Sequence, residues 1–377
     1  MFRCDNCILP NTYPYINFDE NGTCNYCNSY IPNKYLGIGA LNELVDKIKS
    51  EKSRYDCLVG LSGGRDSSYL AYKLVKELNM NVLAYSYDNG SMTESARENV
   101  KKISEKLDIK IIIIDKDADK NSRIFKRNFL AWAKKPSIGM IQMFCIGCKA
   151  GVLKYQHPLM KRYSINYLAD GGSLNEDTYH KLSFLGLKAT NDDIFFIRTR
   201  DTTTSGEPSR VKMFKILFAV LKEAYRNPYF IDPLILVEGI KEFRLISSKF
   251  PKGKSLFKPL IYEKYDEDKV INIITEELDW KKPSYYAPTW RSDCKIAMLK
   301  NYCFLKMVGF SDYDVMLSSM IREGSINRNV AMRRIDECNG LDITSINGFL
   351  KSKGIDPSIL HNAIKCWQDK TNIKNNP

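Results

Sequence analysis

The sequence predicts an α/β protein built on a parallel sheet, with a small cysteine-rich knuckle ahead of it and a helical region behind it. Three observations carry this prediction. From Tyr55 onward, short aliphatic runs alternate with amphipathic helical stretches, the pattern of successive βαβ units. The first run stops at Ser62-Gly63-Gly64, where strand gives way to helix. Two Cys-x-x-Cys pairs fall within the first 34 residues, a segment with Pro10, Pro14, Gly22 and Pro32 and almost no helical periodicity.

In chain order, the knuckle covers 1–34 and an amphipathic helix follows over Leu41 to Ser53. Tyr55 to Leu61 reads as a buried strand, Ser67 to Leu78 as a helix, Asn81 to Tyr87 as the second strand and Thr93 to Leu107 as the next helix. Lys110 to Asp115, with Ile111–Ile114 in succession, is a third strand. Helices over Ser122 to Lys134 and after Cys148 lead to a strand at Ile165 to Ala169, which ends in Asp170-Gly171-Gly172. Ile194 to Ile197 reads as a further strand, and Pro208 to Tyr225 as a basic amphipathic helix suited to the chain's own core, to a membrane or to RNA. Beyond Pro283 come short helices with polar joints. The expected divisions are 1–34, 35–282 and 283–377.

Composition bounds the function. At 377 residues, 44% hydrophobic and 27% charged, the chain is globular with ample core. No apolar run approaches eighteen residues, and Met1-Phe2-Arg3-Cys4 opens without a signal-peptide core, so no membrane span is expected and the location is read as cytoplasmic. Lys and Arg outnumber Asp and Glu by 57 to 44. The resulting +13 admits a polyanion, but a Lys-rich composition spread over solvated faces accounts for it, and nucleic acid is not expected as a partner. Eleven cysteines are too sparse for a disulfide scaffold and point to metal or catalytic thiols.

Chemistry concentrates in Tyr55 to Tyr69, where Ser-Gly-Gly-x-Asp-Ser lies between strand and helix. Gly63 and Gly64 let the backbone approach a phosphate, Ser62 and Ser67 supply hydroxyl donors, and the helix start points its N–H groups at the anion. Asp66 repels phosphate, so its natural role is to hold Mg²⁺ on the phosphate oxygens. The motif lacks the Gly-Lys-Ser/Thr ending of a Walker A loop. It resembles instead the fingerprint of the PP-loop, or N-type ATP pyrophosphatase, superfamily, whose members adenylate a substrate oxygen, release pyrophosphate and let a nucleophile displace AMP. Arg65 stands where the family often has Lys. The resemblance extends to Asp88, where family members contact the adenosine, to Asp170, Gly171 and Gly172, and to Phe257-Lys258-Pro259-Leu260, which is similar to the family's basic-Pro-Leu motif. It implies ATP binding by Ser62, Gly63, Gly64, Arg65, Asp66, Ser67, Asp88, Gly171 and Gly172, with Asp66, Lys258 and Asp170 in the catalytic set. Lys258 would stabilise charge on the activated oxygen, and Asp170 and Asp293 would position substrate.

Cys4, Cys7, Cys24 and Cys27 have the spacing of a closed, structural Cys₄ zinc site. Cys145, Cys148 and the distant Cys294 form a possible second site, for a metal or for an iron–sulfur cluster with one non-cysteine position. Cys57, Cys303, Cys338 and Cys366 read as core.

The order of ribbon, phosphate loop and C-terminal segment resembles the N-acetyl sugar amidotransferases of surface-polysaccharide and nonulosonic-acid (pseudaminic or legionaminic acid type) biosynthesis. The matching stretches are Phe18 to Cys27, Ser62 to Ser67, Leu278 to Trp280, Ser292 to Cys294 and Ile321 to Gly324. That resemblance implies conversion of an acetamido to an acetamidino group on a lipopolysaccharide-type sugar, with ammonia displacing AMP. Phe2 excludes an N-terminal-nucleophile glutaminase, and three histidines offer poor material for a Cys-His-Glu one, so a separate glutaminase subunit, with a cyclase-like ammonia-channel subunit beside it, is the implied supplier. The alternative is a tRNA sulfurtransferase using the three-cysteine site. A zinc-ribbon nucleic-acid binder without catalysis leaves the phosphate loop unexplained.

Overall fold

The computed structural model describes residues 2–175, 179–187, 210–247 and 253–371. Five strands, β1 (Cys57–Gly60), β2 (Val82–Tyr87), β3 (Lys110–Ile114), β4 (Tyr167–Ala169) and β5 (Ser255–Phe257), form one parallel sheet in the order β3-β2-β1-β4-β5. Successive side chains of a strand point to opposite faces, and β1 shows this directly. Cys57 and Val59 join Leu41, Val45, Leu70, Val100 and Ile274 in one core. Leu58 joins Leu83, Leu159, Met160 and Leu168 in the other. Both faces are thus covered by helices, as the near-continuous aliphatic composition of the strands requires.

The helices read from periodicity are present at Ile38–Ser50, Arg65–Tyr72, Glu94–Lys106, Ala118–Lys134, Ile146–Arg162 and Arg210–Arg226. The helix after the phosphate loop changes character at Lys73–Glu77, where it widens to a π turn that buries Lys73 between Glu77 and Glu263. Thr93 caps Glu94–Lys106 by accepting from the N–H of Ala96. Three elements are not among those read from the sequence: β5, only three residues long, and the helices Pro233–Ser247 and Glu267–Leu278. The strand expected at 194–197 lies outside the described residues. After 283 the chain is helical at Lys295–Val308, Asp312–Arg322, Arg328–Asn339, Ile343–Ser352 and Ser358–Thr371.

The N-terminal segment is built into this helical half. Cys4, Cys7, Leu9, Tyr13 and Cys24 share a core with Phe125, Phe129, Trp132, Leu299, Phe310 and Leu350. Arg3 pairs with Asp314 at 2.6 Å, and the Arg328 guanidinium donates to the carbonyls of Cys4 and Cys7. The architecture is therefore an α/β fold with a parallel sheet, a zinc-ribbon-like N-terminus and a C-terminal helical region. Among the described residues, no helix is long and apolar enough to cross a membrane.

Candidate functional site

Strand order 3-2-1-4-5 means that connections leaving β1 and β4 diverge in opposite directions, and open parallel sheets bind ligands at the carboxyl edge of such a switch point. The phosphate loop occupies that edge. Gly63 has φ +74, a left-handed conformation that glycine adopts freely, and a Cβ there would collide with the carbonyl of Ala96. Asn99 Nδ2 and Trp280 Nε1 fix the loop by donating to the Gly63 carbonyl at 2.9 and 3.0 Å. Gly64 is the extended N-cap of Arg65–Tyr72. Ser62 Oγ and Ser67 Oγ stand 3.0 Å apart at the same helix start, beside the Gly64 N–H. Hydroxyls, N–H groups and a helix N-terminus converge there, which is what an anion needs.

Two carboxylates border this loop. Asp66 accepts from Arg65 Nε at 2.9 Å and from the Tyr265 hydroxyl. Asp293 hydrogen-bonds Ser62 and lies against Gly64; burial pushes its carboxyl pKa up, the Ser62 bond opposes that shift, and the nearby charge of Asp66 reinforces it. A divalent cation between phosphate and these acids would relieve that repulsion, so the residues present fit Mg²⁺. Arg65 does something different from what its position in the motif implies. Its side chain is 4% exposed and its guanidinium is engaged internally by Asp66, Glu267 and Thr289, beside the Tyr265 ring.

The remaining strand-end residues line the same edge. Asp88 follows β2, accepting from the Gly90 N–H and from Arg97. Asp170 follows β4 and accepts from the N–H of Gly172 at 2.7 Å, while its own N–H donates to the Phe257 carbonyl. Gly171 approaches the backbone of Asp66. Lys258 follows β5, buried and with no acceptor for its ammonium among the described residues.

The ribbon cysteines bring four Sγ atoms within 4.8 Å of one another. Cys4–Cys27 and Cys7–Cys24 are 3.9 and 3.8 Å apart. A tetrahedron with Zn–S bonds of about 2.3 Å has edges of about 3.8 Å, so the set fits a closed zinc shell. The N–H groups of Cys24 and Leu9 donate to Cys4 and Cys7 sulfurs, as expected of thiolates holding a cation.

Cys145, Cys148 and Cys294 also converge. Cys145 caps helix Ile146–Arg162, Cys148 lies in its first turn, and Cys294 caps Lys295–Val308, so two helix N-termini face the same thiols. Burial pushes the Cys148 thiol up to about 12, against the Asn89 amide that donates to it at 3.0 Å; Cys294 is raised by burial and by its two neighbours. These three sulfurs do not all lie within 4.8 Å of one another, as one ion would require. A cluster with its own sulfides spaces its thiolates more widely and leaves one iron without cysteine. The surroundings fit such a group: Lys300 reaches Cys145 at 3.6 Å, and the buried hydroxyl of Ser91 and amide nitrogen of Gln142 lack partners. Cys57 and Cys303 are fully buried, as expected of core thiols, whereas Cys338 and Cys366 are only partly so.

The α/β layer is an open parallel sheet whose glycine-rich loop follows its first strand. No protein-family model matches the chain. An uncharacterized protein of Methanocaldococcus jannaschii is 30% identical over 120 residues, which span 30% of this chain and 43% of that relative. Solved structures similar to the chain include an NMN synthetase from Francisella tularensis (14% identity, TM-score 0.38, 82% of this chain and 93% of the other). A U34-tRNA thiolase from Methanococcus maripaludis, determined with its [4Fe–4S] cluster, is 17% identical at a TM-score of 0.33, covering 94% and 98%. An ammonia-dependent NAD synthetase from Campylobacter jejuni is 14% identical at 0.28, covering 57% and 97%. The thiolase among them corrects the expectation drawn from charge that nucleic acid is no partner: the basic excess does not dispose of that class.

What sequence reasoning missed is the support around Asp66. Tyr265, Glu267, Thr289 and Arg334 lie about 200 residues or more away in the chain and carry no motif. The contact of Asp293 with the phosphate loop is likewise invisible before folding.

Proposed function

We propose that this chain is an ATP-dependent adenylating enzyme that activates an oxygen of a tRNA base and replaces it with sulfur. The observation that carries the reading is the juxtaposition of a partly buried three-cysteine site with the phosphate loop: Cys294 directly follows Asp293, whose carboxyl rests on Gly64. In this reading Ser62, Ser67 and the N–H groups at the start of Arg65–Tyr72 bind the β- and γ-phosphates, and Asp66 and Asp293 hold Mg²⁺. The substrate oxygen bonds to the α-phosphorus as the α–β bridge breaks, and pyrophosphate leaves with that electron pair. Lys258 at the end of β5 steadies the charge that develops on the activated group, while Asp170 orients it. Cys145, Cys148 and Cys294 would hold an iron–sulfur cluster, which would supply the sulfide-level sulfur that displaces AMP. Cys4, Cys7, Cys24 and Cys27 hold zinc in a structural role.

A second reading keeps the same adenylation and replaces sulfur by ammonia on a sugar acetamido group. It is favoured by the stretch Phe18 to Cys27, which resembles the ribbon of the sugar amidotransferases. One assay separates the two. Protein reconstituted anaerobically with iron and sulfide is tested for pyrophosphate release with bulk tRNA plus sulfide and with acetamido sugars plus ammonium. Thiolated tRNA supports the first reading and an amidine moves the protein to the second. Release that depends on neither substrate discards both.

A further inference from the structure

Nine of the sixteen large hydrophobic side chains exposed among the described residues fall between 218 and 240. They lie on the helices Arg210–Arg226 and Pro233–Ser247 and on the turn joining them. Phe218 is 72% exposed and Tyr225 83%; Leu221, Ile231, Leu234 and Ile240 are also exposed. Single exposed apolar residues need no explanation, but a concentration of this kind marks an interaction surface. Phe218, Leu221 and Tyr225 share one helix face by their spacing, and Lys215 and Lys222, both exposed, have no acidic partner among the described residues.

Beside this surface is a cavity of about 460 Å³ lined by Arg123, Lys126, Arg127, Lys134, Tyr229 and Ile235. Its four cations face a single acid, Asp232, which Arg127 engages at 2.8 Å. Lys134 lies over the Tyr229 ring at 4.5 Å. Tyr229 belongs to both features, so the cationic cavity opens directly onto the apolar surface.

We propose that this region docks the protein on an anionic lipid bilayer, with lipid phosphates in the Arg123–Lys134 cavity and the side chains of 218–240 entering the interface. The occupant follows from the two features together. Basic residues beside exposed Leu, Ile, Phe and Tyr are what a helix lying in a bilayer surface presents, with lysines reaching back to the headgroups. RNA would use the cations but gain nothing from Leu221, Leu234 or Ile240, because it binds by phosphate contact and base stacking. A second copy would set the same cations against each other in a two-fold interface. The attachment is peripheral, since no described helix is fit to span.

Flotation with phosphatidylcholine vesicles and with mixed phosphatidylcholine–phosphatidylglycerol vesicles tests this. The full chain rises with the mixed vesicles and stays behind with the neutral ones. Leu221→Glu with Ile240→Glu abolishes flotation, and Arg123→Glu with Lys134→Glu weakens it by more than about tenfold. Zinc content and pyrophosphate release of both variants stay at the parent level. Failure of the parent chain to float overturns the proposal. So does self-association that Leu221→Glu with Ile240→Glu abolishes without any vesicle binding, or an RNA shift that only Arg123→Glu with Lys134→Glu removes.

Discussion

Asp66 is one of the two carboxylates that border the phosphate loop, and its neighbours aim it: Arg65 from its own helix and Tyr265 from across the fold. Replacing it by Asn keeps the volume and removes the charge that would hold Mg²⁺. Asp66→Asn is therefore expected to leave far-ultraviolet circular dichroism unchanged and to abolish pyrophosphate formation; full activity would remove the loop from the mechanism. Beneath it, burial alone would push the Glu267 carboxyl up, but Arg65 and Arg334 outweigh burial and hold it below its ordinary value. A carboxylate depressed in the folded state stabilises above its unfolded pKa of about 4.3, and that contribution is lost as pH falls through the folded value. Glu267→Gln leaves the buried Arg65 with Asp66 as its remaining ion partner, takes the carboxylate from Arg334, and is expected to cost on the order of 3 kcal/mol at neutral pH. The loss should shrink as the pH of urea unfolding is lowered below about 4, and a pH-independent loss would contradict the ion-pair account.

At the scale of single elements, the turn between β1 and Arg65–Tyr72 depends on Gly63. Its φ of +74 disfavours any side chain by about 1–2 kcal/mol, and contact with the Ala96 carbonyl adds a clash that the capped helix Glu94–Lys106 cannot absorb without moving. Gly63→Ala is expected to lower the urea midpoint and to cut pyrophosphate release more than overall stability, since the displaced atoms are the anion donors. The zinc site is the second such element. Cys4→Ser and Cys24→Ser should each release about one Zn²⁺ per chain, read by metal analysis after dialysis without chelator. Retention of zinc in both variants would exclude the Cys₄ shell.

At the scale of the whole molecule, the ribbon is a wedge in a core that also holds Phe125, Trp132, Phe310 and Leu350, locked from outside by Arg3–Asp314 and by Arg328. Chelation should therefore speed amide exchange in the helices Asp312–Arg322 and Arg328–Asn339 as well as in the first 34 residues, leaving β1 and β2 protected. Exchange confined to the N-terminal segment would show that the shared core does not transmit the loss. The same tertiary packing joins the ends of β1, β2, β4 and β5 to the loop before Lys295–Val308, so one edge of the sheet collects residues from 62 to 294.

The sequence by itself determined what depends on near neighbours. Aliphatic runs such as Ile111–Ile114, the glycine-punctuated loop at Ser62–Ser67 and the paired Cys-x-x-Cys spacing announce strands, an anion loop and a metal shell because periodicity, backbone freedom and ligand distance are local constraints. Only the tertiary structure decided the rest. β5 is three residues long and exists because β4 offers it an edge. Arg65 turned inward because Glu267, about 200 residues later, supplies a buried partner. Cys294 met Cys145 and Cys148, and Asp293 met Gly64, through the docking of a helical half onto a sheet, a free energy summed over distant contacts that no local pattern records.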